Sequence, residues 1–250
     1  MWSIELGADM KSPGRHPYPF SAILAGHIAI AATCAGLAIW AASERFGLST
    51  HALPWAVGAF AIPVLASEPV RRATQPQVMG HANRVTLLRA SMIGWIAAFG
   101  STAGTFDQML WVTVVAILAL AMDGLDGWIA RLTDGASAYG AQLDMEFDAI
   151  LMLVLSWLAV QWHQTGPWIL VCGLARYAWI AAHALLPWFR RPLPESFRRK
   201  AACVVGIIGL TLTVSPIPGA VIWGTTAAVA LAGSFAVDLV WLVHRRHRAL

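Results

Sequence analysis

The sequence predicts an all-α, polytopic membrane helix bundle, and three observations carry that expectation. Of 250 residues, 58% are apolar and only 12% charged, about half the roughly 25% charge of a soluble domain. Apolar runs recur along the whole chain, and mean hydropathy is +0.63. Between the runs lie short polar stretches, with Lys and Arg gathered in alternate ones, the pattern of loops on two sides of a membrane. Such a composition excludes a disordered chain, a collagen-like repeat, a coiled coil and a disulfide scaffold. Cys34, Cys172 and Cys203 fall in separate apolar runs and read as small buried hydrophobes without metal or disulfide spacing.

Residues 1–19 hold Glu5, Asp9, Lys11 and Arg15, so they form a polar N-terminal segment rather than the apolar core of a cleaved signal. Apolar runs at 20–43 and 52–67 make an N-terminal transmembrane pair within residues 20–67. The second run is the weakest, since it is short, contains Pro63, and a full crossing wants ~20 residues without a kink. Residues 68–84 are polar, with Pro76 and Gly80, and suit an interfacial connector. Six further runs follow at 85–103, 109–130, 141–162, 167–187, 201–215 and 218–243, and residues 245–250 form a basic tail. Eight crossings of ~20 residues leave no room for a second soluble domain, so any chemistry sits within the bundle.

Orientation follows from the basic residues. Lys11, Arg15, Arg71, Arg72, Arg84, Arg131, Arg190, Arg191, Arg198, Arg199, Lys200, Arg245, Arg246 and Arg248 fall on one side, against Arg45 on the other. The positive-inside rule then puts both termini in the cytoplasm of a bacterial-type inner membrane. Trp40, Trp55, Trp111, Trp162, Trp168 and Trp223 come near the outer ends of spans, as an interfacial belt requires. The pI of 9.3 is thus an orientation signal; no basic soluble face exists to bind nucleic acid.

Ionisable groups inside spans mark functional sites by default, and four carboxylates sit in the fourth and fifth spans. The chain reads ALAMDGLDGWIAR over 119–131 and YGAQLDMEFDAIL over 139–151. On a helix Asp123, Gly127 and Arg131 share a face, with Asp126 and Ala130 beside it; Gly140, Asp144 and Asp148 repeat that spacing. The connecting loop is short, which predicts antiparallel neighbours with four acids at similar depth. Four ionised acids in low dielectric repel unless cations intervene. A helix-packing ion-pair network is a poor alternative, since one cation does not satisfy four acids. Hard oxygen ligands without nearby His or Cys point to Mg²⁺ or Mn²⁺, two ions balancing four acids. Such ions bind carboxylates together with substrate phosphates, and Arg131 is placed to receive remaining phosphate charge.

These residues, DGLDGWIAR, eight residues, Gly140, three residues, Asp144, three residues, Asp148, resemble the signature of the CDP-alcohol phosphotransferases without gap or substitution. Eight fixed positions match by chance on the order of once in 10¹⁰ starts at ordinary residue usage, so the signal is specific. The resemblance implies a six-helix membrane core over 85–244, usually homodimeric, with the N-terminal pair as an addition. It implies transfer of a phospho-alcohol group from a CDP-linked donor to a second alcohol, releasing CMP, with Mg²⁺ or Mn²⁺. Asp123, Asp126 and Asp144 resemble the metal ligands, and Asp148 the ligand that also acts as general base. Gly127, Ala130, Arg131 and Gly140 resemble residues that hold the cytidine diphosphate, together with Asp126. Upstream, NRVTLLR over 83–89 is similar to the start of the family's first core helix, where Thr86 lies beside the nucleotide. Downstream, Arg198 and Lys200 keep cationic positions of a family motif whose glycine and threonine are replaced by Phe197 and Ala201.

Outside the signature, Arg176 lies mid-span. It reads either as a partner of Asp238 or a carbonyl, or as joining Arg198, Arg199 and Lys200 in gripping an anionic acceptor. Asp134 reads as a solvated loop acid, and Glu146 as reaching the interface or Arg131. His27 and His183 read as helix contacts, and Gly104, Gly206 and Gly209 as close-packing positions. The expected activity is transfer of a phosphatidyl group from CDP-diacylglycerol to a polar alcohol, with a phosphorylated acceptor such as glycerol 3-phosphate favoured by the nearby cations. Serine, inositol or its phosphate, choline-type alcohols and another phospholipid stay open. Two other classes remain: an intramembrane Mg²⁺-diphosphate prenyltransferase, which releases pyrophosphate, and a cation-coupled transporter, which turns over no nucleotide.

Overall fold

A computed structural model describes residues 20–48, 51–74, 81–132, 138–190, 193–194 and 196–247. Among them are eight α-helices and no strand: α1 (Phe20–Phe46), α2 (Ala52–Thr74), α3 (His81–Ala97), α4 (Phe106–Leu132), α5 (Ala138–Gln161), α6 (Leu170–Leu185), α7 (Phe197–Thr213) and α8 (Ala220–His247). Ala52–Thr74, Phe106–Gly124, Pro167–Leu185 and Ala220–Arg245 are long and apolar enough to cross a membrane. The molecule is a polytopic helical bundle, with a helix on each expected run.

Several boundaries differ from the sequence reading, the expected tail from residue 245 being helical as far as His247, and two of them bear on the packing. The connector expected from residue 68 is helical as far as Thr74. Glu68 accepts bonds from Arg71 Nε at 2.5 Å and Arg72 Nε at 2.9 Å, and these i,i+3 and i,i+4 pairs extend α2 although Pro63 and Pro69 lie inside it. α3 stops at Ala97 rather than 103, and the chain turns through Gly104 at φ +73, a conformation that glycine adopts without strain. A Cβ at Gly104 would lie 2.3 Å from Trp162. That tryptophan is core rather than belt: it is 3% exposed, and its indole donates to Thr102 Oγ1 at 3.2 Å. Trp40, Trp55, Trp111 and Trp168 do stay exposed at this end.

The expected side-by-side packing of α4 on α5 is also replaced. Among the described residues α4 packs chiefly on α3, and α3 in turn on α5. The reason is α3's composition: Thr86, Leu87, Arg89, Ala90, Ile93, Ile96 and Ala97 are buried on successive faces, so this helix is driven between its neighbours. α5 is likewise buried on nearly every side and packs against α2, α3, α6 and α7. The N-terminal pair belongs to this body, since α1 packs on α3, and α2 on α3 and α5. Trp55 of α2 stacks on Trp157 at 5.2 Å, and Phe60 meets Phe147 at 6.4 Å, one residue before Asp148.

Small residues set the closest crossings. A Cβ at Gly209 of α7 would lie 2.9 Å from both Ala227 Cβ and Trp223 O of α8, and one at Gly206 would meet Leu231 at 2.8 Å, so these glycines serve close packing as expected. Gly104 answers both to its turn and to close packing, since a Cβ there would run into Trp162. Gly173 of α6 is tighter than Gly206 and Gly209, since its Cβ would fall 2.4 Å from Leu153 Cα of α5, a backbone atom with no rotamer to yield. Gly173→Ala should therefore push α6 off α5 and cost about 1–3 kcal/mol. Gly58→Ala, with nothing within 4 Å, should gain about 0.5–1 kcal/mol by helix propensity. Unfolding of the two variants in detergent tests both signs.

Candidate active site

The acid end of the bundle is built from α3, α4, α5 and α7. Asp144 and Asp148 are one turn apart on α5, which puts both on one face, and Asp123 approaches from α4. One carboxylate oxygen from each of these three falls within 4.8 Å of the others. Their side chains are partly exposed, at 26%, 34% and 19% for Asp123, Asp144 and Asp148. The three acids thus open toward solvent while drawing together.

What draws them is a residue that sequence reasoning quoted but gave no role. Arg89 of α3 is 1% exposed and the largest fully buried side chain. Its Nη1 donates to Asp123 Oδ1 and its Nη2 to Asp144 Oδ1, and Nη2 stands 3.5 Å from Asp148 Oδ1. Because α3 lies between α4 and α5, one guanidinium fork reaches acids on both helices. From α7, Cys203 Sγ lies 3.7 Å from Asp148 Oδ2 as a thiol donor, although its sequence context suggested packing alone.

The remaining signature positions lie around this cluster. Thr86 is buried on α3, one turn before Arg89, and Gly140 lies on α5 one turn before Asp144. Asp126, Gly127, Ala130 and Arg131 are on the helical backbone of α4, and their side chains lie outside the described residues. So does Asp134.

Of the four other cations expected at the site, Arg176, Arg198 and Arg199 are engaged in interhelical pairs. Arg176 of α6 bonds Glu146 of α5, not Asp238, and Glu146 is buried rather than at an interface, its side chain 2% exposed. Gln142 Nε2 adds a bond to the same Glu146 oxygen at 2.7 Å. Asp238 is taken instead by Arg198 at 2.5 Å and Arg199 at 3.3 Å; Arg198 also donates to Ser234 Oγ at 2.9 Å. Lys200 is exposed. The structure therefore brings Asp123, Asp144 and Asp148 together, and ties Arg176, Arg198 and Arg199 to carboxylates of α5 and α8.

The donor set fits a hard divalent cation: oxygen ligands only, converging from two helices, with three negative charges against one buried positive charge. A separate cavity of about 330 Å³ lies at the opposite end, lined by Phe106, Met109, Gln164 and the 215–220 turn. Its lining has no ionisable side chain.

A family model described as CDP-alcohol phosphatidyltransferase matches residues 79–237, a span from the start of α3 into α8 that contains every residue of the cluster. No curated protein and no solved structure matches the chain.

Proposed function

Because the chain belongs to the CDP-alcohol phosphatidyltransferase family, we propose that it transfers a phosphatidyl group from CDP-diacylglycerol to a polar alcohol and releases CMP. It is a transferase of substituted phosphate groups, acting on a CDP-alcohol. The observation that carries the finer reading is the convergence of Asp123, Asp144 and Asp148 at the end of an apolar bundle. A site at that depth can admit acyl chains laterally from one leaflet. In this reading the protein is a homodimer of an inner membrane, with its site and both termini on the basic, cytoplasmic side. The acceptor is a phosphorylated polar alcohol such as glycerol 3-phosphate, met by Lys200 and its arginine neighbours.

Asp148 takes the proton of the acceptor hydroxyl, whose oxygen bonds to the phosphorus distal to cytidine. The bond from that phosphorus to the bridging oxygen breaks, and CMP departs with the bridging oxygen. Thr86, Gly127, Ala130 and Gly140 leave room for the nucleotide, and Arg131 takes diphosphate charge. Two Mg²⁺ or Mn²⁺ ions held by Asp123, Asp126, Asp144 and Asp148 would supply charge stabilisation at the diphosphate.

Purified protein given labelled CDP-diacylglycerol, Mn²⁺ or Mg²⁺ and a panel of alcohols should yield CMP and a new phospholipid with one acceptor class. Release of pyrophosphate from a prenyl diphosphate, or cation transport in proteoliposomes without nucleotide turnover, would overturn the proposal.

A further inference from the structure

We infer that Arg89 is the resident counterion of the acid cluster, which preassembles Asp123, Asp144 and Asp148 and keeps their affinity for a divalent cation low enough for exchange. The inference rests on the reading of those acids as a cation site, and adds a positioning residue to it. Three carboxylates whose oxygens lie within 4.8 Å repel one another strongly in a medium less polar than water. They sit on α4 and α5, both of which pack on α3 among the described residues. Arg89 is on α3, with donors directed to an acid on each side. Guanidinium is the side chain suited to this, since its planar fork reaches two carboxylates at once and its charge is permanent. At 1% exposure that charge is screened little by water or salt. The three clustered acids against one guanidinium leave two negative charges, and Asp126 of the proposed site makes three, so charge remains for divalent cations to balance.

A simple strut and a counterion predict opposite signs. If Arg89 only braces the helices, its removal disorders the ligands and weakens cation binding. If it is a counterion, its removal leaves three uncompensated acids, and an incoming divalent cation gains what the guanidinium supplied.

The test is Mn²⁺ alone, titrated into full-length protein in detergent and followed by electron paramagnetic resonance, with melting temperature measured in chelator and in Mn²⁺. Arg89→Met should bind Mn²⁺ about tenfold or more tightly than the parent, given a monopositive charge removed from a few ångströms away. Its melting temperature should fall in chelator and recover in Mn²⁺ by a larger margin than the parent gains. Arg89→Lys, which keeps the charge and loses the fork, should stay within about threefold of the parent's affinity, and serves alone if the Met variant does not fold. Equal or weaker Mn²⁺ binding by Arg89→Met, or a tenfold change in Arg89→Lys, would overturn the counterion role and leave the proposed activity standing. A parent protein that binds no Mn²⁺ yet releases CMP would instead overturn the cation site itself.

Discussion

Asp148→Asn should reduce CMP release from CDP-diacylglycerol by about 10²–10⁴-fold, the usual contribution of a positioned general base, while leaving the bundle folded. Within the acid cluster Asp148 is also approached from α7, by the Cys203 thiol at 3.7 Å. Asp123 and Asp144 accept from Arg89, and Asp148 Oδ1 lies 3.5 Å from the same guanidinium. The amide is nearly isosteric and cannot take the acceptor's proton, so the loss should fall on turnover. Mn²⁺ titration of the same variant separates the two roles assigned to this side chain: retained binding with lost CMP release isolates the base, and near-normal release with any accepted alcohol would sink it.

The bundle was legible because a membrane leaves the chain few options: apolar runs must be helices, since every backbone group has to be satisfied within its own segment. The acids were legible for a related reason, as carboxylates are costly in such runs and their helical spacing puts them on one face. How the helices pack was not legible. A short loop suggested α4 against α5, but the burial of α3 on successive faces inserts it between them. Arg89 could have been found by the rule that exposed the acids, since it too is an ionisable residue in an apolar helix. An ion-pair network is unexpected from the sequence, because one cation does not satisfy four acids. The structure has such a network around three of them, centred on a cation from a third helix. Cys203 carried no signal at all, because only the crossing of α7 over α5 brings its thiol to Asp148.

Partner choice among the distant charges was equally out of reach. Arg176 offered Asp238 or a carbonyl as its partner, and both it and Glu146 lie in helices whose relative rotation sets the outcome. Packing of α6 on α5 at Gly173, where no Cβ fits, fixes that rotation and delivers Arg176 to Glu146. Asp238 then falls to Arg198 and Arg199 through the α7 and α8 crossing at Gly206 and Gly209. Helix contacts made by glycines therefore select the ion pairs.

Arg176→Met should cost about 3–5 kcal/mol, because it removes the cation from Glu146, which is buried at 2% exposure and then bonded only by Gln142 among the contacts described. Adding Glu146→Leu should recover most of that loss, since replacing both members of a buried pair by apolar groups is often neutral or stabilising, while removing one is not. Unfolding of the parent, both single variants and the double variant in detergent closes the cycle. The same four proteins decide whether Arg176 also grips an anionic acceptor. If its work is confined to Glu146, the double variant regains stability and keeps the parent's KM for the acceptor. If its guanidinium reaches the acceptor as well, stability returns but KM stays raised, because no apolar partner can replace a cation facing a phosphate. A double variant as unstable as Arg176→Met would show that the loss does not come from an unpaired Glu146, and the pair's assigned energetic role would fall.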